Sequence, residues 1–73
     1  MCLGVPAKVI KLMGNDVARV DVNGNHTEIN IRLTPEVEVG QYVLVHAGFA
    51  MEIMDESIAL ETMQFLKEIM QNE

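Results

Sequence analysis

One cysteine and two histidines are the residues of this chain best suited to bind a transition metal or act as a nucleophile at neutral pH. Cys2 stands out by position. Removal of an initiator methionine is ordinary when the next residue is small, and Cys2 would then carry a free α-amine beside its thiol. The reference values for such groups are ~8 for an α-amine and ~8.5 for a thiol, and a neighbouring ammonium favours the thiolate. Thiolate is a soft ligand for metals such as iron and also a nucleophile. The competing reading is a small buried hydrophobe. Placement at a terminus, where burial is less common, weighs against burial, and the residues alone leave the two readings level. His46 sits in the apolar run Val43-Leu44-Val45-His46-Ala47-Gly48-Phe49. Imidazole there could ligate a metal or move a proton, although a histidine in an apolar strand is more often a hydrogen-bonded core residue. His26, beside a turn, reads as an exposed loop residue. Neither histidine has a partner at zinc-ligand spacing, and the carboxylates near Asp55 read as capping and solvation. Cys2 with its amine has the chemistry of an N-terminal nucleophile, but no oxyanion element accompanies it, so no enzymatic activity is expected.

These residues need elements to position them. Gly4 allows close backbone approach and Pro6 stiffens the path into a first strand, Ala7 to Met13, closed by Gly14-Asn15-Asp16. Ala18, Val20 and Val22 alternate with Arg19, Asp21 and Asn23, a half-buried strand. Asn23-Gly24 is the preferred pair for a tight hairpin turn with two positive φ angles. Ile29, Ile31 and Leu33 then alternate with Glu28, Asn30 and Arg32. Thr34-Pro35 opens a short acidic loop. Tyr42 to Ala47 is apolar on both faces, as expected of a strand lying under a helix. Gly48 predicts a bulge or bend, and Phe49 to Met54 a short fifth strand. From Asp55, a good N-cap, the period becomes helical. Ile58, Ala59, Met63, Phe65, Leu66, Ile69 and Met70 share one broad face expected to pack on the sheet, while Leu60 sits at the polar side. The pattern predicts a mainly β protein: one domain over 1–73, a small OB-like five-stranded β-barrel over about 3–54, and a C-terminal α-helix over about 56–71.

Composition narrows the function. The chain has 73 residues and a net charge of −6. A domain this small buries only roughly 60% of its unfolded surface, and its core supplies about 3–5 kcal/mol of net stability. Its five scattered basic residues, one Tyr, two Phe and absent Trp argue against nucleic acid, which needs clustered cations and stacking surfaces. No apolar run reaches the ~18 residues of a spanning helix, and the N-terminus lacks signal-peptide character. A cytoplasmic protein without membrane contact is expected. The single cysteine can form no internal disulfide, which fits a reducing compartment. Six methionines suit adaptable contact surfaces.

Two segments carry a family resemblance. Met1-Cys2-Leu3-Gly4-Val5-Pro6-Ala7-Lys8-Val9 resembles the N-terminal signature of the HypC/HupF hydrogenase maturation chaperones, and Gly40-Gln41-Tyr42-Val43-Leu44-Val45-His46-Ala47-Gly48-Phe49-Ala50 resembles their second signature. The resemblance covers essentially the whole chain, although the connection Thr34 to Val39 is shorter than in some members. It implies an OB-like barrel with a C-terminal helix. It also implies a role in building the Fe(CN)2CO group of [NiFe]-hydrogenases, with the scaffold protein HypD and the hydrogenase large-subunit precursor as partners. The family's essential cysteine corresponds to Cys2 and its motif histidine to His46. Cys2 and His46 are therefore the expected iron contacts, with the iron group held transiently and shared with HypD. The start of the chain, Cys2, Leu3, Gly4, Val5 and Pro6, is the expected docking edge. The alternative is an interaction module that holds its partner without touching metal.

Overall fold

The computed structural model describes residues 4–71. They form β1 (Val5–Gly14), β2 (Val17–Val22), β3 (Asn25–Asn30), β4 (Tyr42–His46), β5 (Phe49–Met54) and α1 (Glu56–Gln71). Local chemistry accounts for the first two hairpins. In β2, Ala18 and Val20 are fully buried while the intervening residues are partly exposed. Asn23 and Gly24 take φ of 56° and 89° and set the register Val22↔Asn25 to Val17↔Asn30. Asn15 and Asp16, at φ 55° and 62°, make a second two-residue turn between β1 and β2.

Tertiary pairing lengthens β1 beyond the expected Ala7 to Met13. Its first half pairs with β4, from Val5↔Val45 to Lys8↔Tyr42, and irregularities after Val9 and Leu12 accompany its pairing with β2. Such bulges bend a strand so that it can serve two neighbours. The sheet closes in the order β1-β2-β3-β5-β4, the OB-like barrel that the pattern predicts. The β3–β5 seam is the thin one, with one parallel pair, Asn30↔Phe49, and an Asn30 N–H donating to the Gly48 carbonyl at 2.9 Å. Ala7, Val9, Ala18, Val20, Ile29, Ile31, Val37, Val43 and Ala50 fill the interior.

Two local expectations change and one is sharpened. Leu33 does not continue the inward alternation of Ile29 and Ile31; β3 ends at Asn30, the chain turns, and Leu33 is 56% exposed. The bend expected at Gly48 takes the form of a two-residue turn joining β4 to β5, with Ala47 at φ 55° and Gly48 at 85°. Alanine in this left-handed conformation costs about 1–2 kcal/mol. The third concerns α1. Its start is as expected: Asp55 Oδ1 accepts the Ser57 N–H and hydroxyl, both at 2.9 Å, and the Asp55 carbonyl accepts Ala59 N–H. Its broad apolar face, however, is covered only along one strip. Ala59 is buried and Met63 and Leu66 are half-buried, whereas Ile58, Phe65 and Ile69 remain 55%, 62% and 48% exposed. At about 100° per residue these are two adjacent strips, and α1 packs chiefly on β1 and β4. That contact also explains why β4 is apolar on both faces: Val43 points into the barrel, and Tyr42 is buried on the other side. No helix among the described residues is long and apolar enough to cross a membrane.

Candidate functional site

The antiparallel register of β1 and β4 places Gly4 and Val5, the first described residues. Val5 is opposite Val45, so one step further brings Gly4 level with His46, the last residue of β4. Gly4 has φ +104°, and a Cβ there would sit 3.0 Å from Leu44 Cγ, 3.1 Å from Leu44 Cδ1 and 3.2 Å from the Val45 carbonyl oxygen. Glycine is needed on both counts, for a backbone that L side chains rarely adopt and for the close crossing of β4. The described part of the first signature, Gly4 to Val9, thereby lies alongside the second.

A Gly4→Val substitution tests this crossing. It combines the left-handed cost of about 1–2 kcal/mol with a clash against β4, and is expected to lower Tm by about 5–15 °C. The β2–β3 hairpin, which Gly4 does not touch, should keep its amide protection. An unchanged Tm in thermal unfolding would mean that the crossing is not tight.

The expected site residues divide. Cys2 and Leu3 lie outside the described residues. Val5 is exposed, at 36%. Pro6 is not: it is among the fully buried side chains. Alternation explains the correction. Ala7 and Val9 point into the core, which turns Pro6 to the outer face where α1 packs on β1. Pro6 therefore anchors the edge from beneath and offers no free docking surface. His46 differs from the usual core histidine. It is exposed, paired across the turn with Phe49, and so available to a ligand or a partner. Among the described residues no group of three or more His, Cys, Asp or Glu could hold a metal ion, so His46 could supply one ligand of a shared site. His26 is exposed as expected, with Nε2 3.5 Å from Asp21 Oδ1 across the hairpin, beside an Arg19–Glu28 pair at 3.0 Å.

Two neighbours of His46 escaped the reading of the sequence as functional candidates. Ala47 is exposed at the turn, and Phe49 is 41% exposed beside it. The available signal was Ala47-Gly48 standing between two apolar strand-like runs, as Asn23-Gly24 stands between β2 and β3.

Fold and site define a class, a small OB-like barrel with a C-terminal helix and an exposed histidine, His46, at one barrel end. The profile of the HupF/HypC family matches residues 1–66. The chain belongs to that family. It is 42% identical over 74 residues to hydrogenase maturation factor HypC of Synechocystis sp., covering 94% of this chain and 97% of that protein. Hydrogenase maturation factor HybG of Escherichia coli K12 is 42% identical over 76 residues, covering 94% and 92%. Hydrogenase maturation factor HypC of Helicobacter hepaticus is 37% identical over 73 residues, covering 99% and 85%.

Proposed function

We propose that this chain is a hydrogenase maturation chaperone that binds the scaffold protein HypD and the hydrogenase large-subunit precursor, and helps to assemble and hand over an Fe(CN)2CO group through Cys2. The observation that carries the reading is the near end-to-end likeness to proteins named hydrogenase maturation factors. The iron group is cargo. Iron that carries cyanide and carbonyl is soft and electron-rich, so a thiolate suits it better than a carboxylate. Cys2 would contact the iron directly or pair with a HypD cysteine at the shared site. His46, exposed at the barrel end to which Gly4 leads, would ligate iron or orient Cys2.

A second reading is an interaction module that holds its partner and never touches metal. Anaerobic co-purification of the wild-type chain with HypD separates the two. Iron together with infrared bands of bound cyanide and carbonyl in the complex is the expected result. A stable complex without iron or bands in either partner combination would favour the interaction module, and no complex at all would sink the proposal.

A further inference from the structure

β3 has one covered edge and one open edge. In an antiparallel pair, alternate residues turn their backbone N–H and carbonyl toward the same neighbour. The Asn30 N–H points away from β2, to the Gly48 carbonyl at 2.9 Å. His26 and Glu28 are in step with Asn30, so their N–H and carbonyl groups point away from β2 as well. β5 occupies that side only at Asn30↔Phe49, and among the described residues no strand pairs with His26 or Glu28 there. The side chains agree that the stretch is uncovered. Asn25 to Glu28 are all exposed, Thr27 included, although it shares a face with the buried Ile29. An open groove lined by Arg19, His26, Thr27 and Glu28 lies at the same place. An unpaired edge of this kind is a template for a further strand.

We propose that the open edge of β3 pairs with the same edge of a second copy of this chain, antiparallel, with Thr27 facing Thr27 of the partner subunit. Charge decides both occupant and register. Outward-pointing residues meet one another as hydrogen-bonded pairs, so His26 and Glu28 must face members of the same set. Setting His26 on His26, or Glu28 on Glu28, opposes like with like. Setting His26 on Glu28 opposes unlike groups on both sides of a two-fold axis, and every free backbone group of the two residues finds a partner. An imidazole N–H donates to a carboxylate whether or not the ring is charged. Within each hairpin Glu28 already lies beside Arg19 and His26 beside Asp21. Pairing therefore makes one continuous row: Arg19, Glu28, the partner's His26 and the partner's Asp21. The net charge of −6 does not forbid this, because Val17 to Asn30 holds only one arginine and two carboxylates, and charges more than about 10 Å apart are largely screened at 0.1 M salt. The contact is short, well under the ~1,200 Å² of stable interfaces, so the dimer is weak, with a Kd of about 0.1–1 mM. The inference goes beyond the proposed function and does not depend on it.

The test uses the full chain at about 1 mM, a concentration set by that Kd. Wild-type protein in sedimentation equilibrium should show an average mass that rises with concentration; a strict monomer throughout would overturn the proposal. Register is read by Thr27→Cys, made with Cys2→Ala so that the new thiol is the only one, and with oxidised glutathione as oxidant. Opposed residues of a non-hydrogen-bonded pair have Cα atoms about 4.5 Å apart, within the ~4.4–6.8 Å that a disulfide spans. Thr27→Cys should form a disulfide-linked dimer about tenfold faster than Glu36→Cys in the same background, which places a thiol at an exposed position away from this edge. Equal rates would overturn the proposal. Adding His26→Glu to Thr27→Cys sets carboxylates opposite each other twice per dimer and should slow the linkage about tenfold. An unchanged rate in that variant would overturn the charge-set register. None of these outcomes bears on hydrogenase maturation, so the proposed function stands or falls separately.

Discussion

Cys2→Ala is expected to remove the cyanide and carbonyl infrared bands, and the iron, from a complex with HypD that otherwise still forms. The argument runs from chemistry to stability. A methyl group cannot donate to iron or exchange with a disulfide, and no other cysteine exists in the chain to substitute. Cys2→Ser should fail in the same way, because a serine hydroxyl is a hard and protonated group where a soft thiolate is needed. The barrel should not suffer. The described core residues Ala7, Val9, Ala18, Val20, Ile29, Ile31, Val37, Val43 and Ala50 are all unchanged in the variant, and an equal Tm of the two proteins is the expected result. The measurement is iron content and infrared spectra of wild-type and Cys2→Ala complexes, alongside Tm. Bands of undiminished strength in the variant would make Cys2 a contact residue and favour the interaction module.

Val43→Ala is expected to cost about 2 kcal/mol, a loss close to half of the roughly 3–5 kcal/mol that a core of this size supplies. Val43 is fully buried and lies opposite Ala7 on one neighbouring strand and Ile53 on the other. Much of this core is already alanine and valine, so little slack remains to fill the space of two lost methyl groups. Tm should fall by about 8–16 °C. Val39→Ala is the control, since Val39 is 58% exposed and should shift Tm little. Equal shifts in the two variants under thermal or urea unfolding would show that the barrel interior is not what holds this fold together. Because Val43 sits in the second signature, three residues from His46, the same variant should lower the yield of complex with HypD in step with its loss of folded protein, and not beyond it.

Where the sequence could be read, it was read through short-range chemistry. Asn23-Gly24 predicts its turn because few residue pairs accept two positive φ angles, and the structure has that turn. Phe49 to Met54 forms β5, and Asp55 caps a helix over Glu56–Gln71. The two signatures were legible as residues, but their meeting was not. Gly4 and His46 become neighbours only through the β1–β4 register, which joins positions forty residues apart in sequence. Local pattern misjudged Leu33, because alternation does not say where a strand stops. It misjudged Pro6, which is fully buried on a strand that packs against a helix beginning fifty residues later.

By itself, then, the sequence determined the hairpins, the strand and helix types, the acidic surface and the identity of the two metal-capable side chains singled out, Cys2 and His46, since each follows from residues a few positions apart. Tertiary structure alone decided the barrel closure at Asn30 and Phe49, the covering of Pro6, the exposed strip of α1 and the exposed tip at His46, Ala47 and Phe49. The physical reason is that periodicity says which side chains share a face, whereas burial depends on what distant part of the chain is there to cover that face.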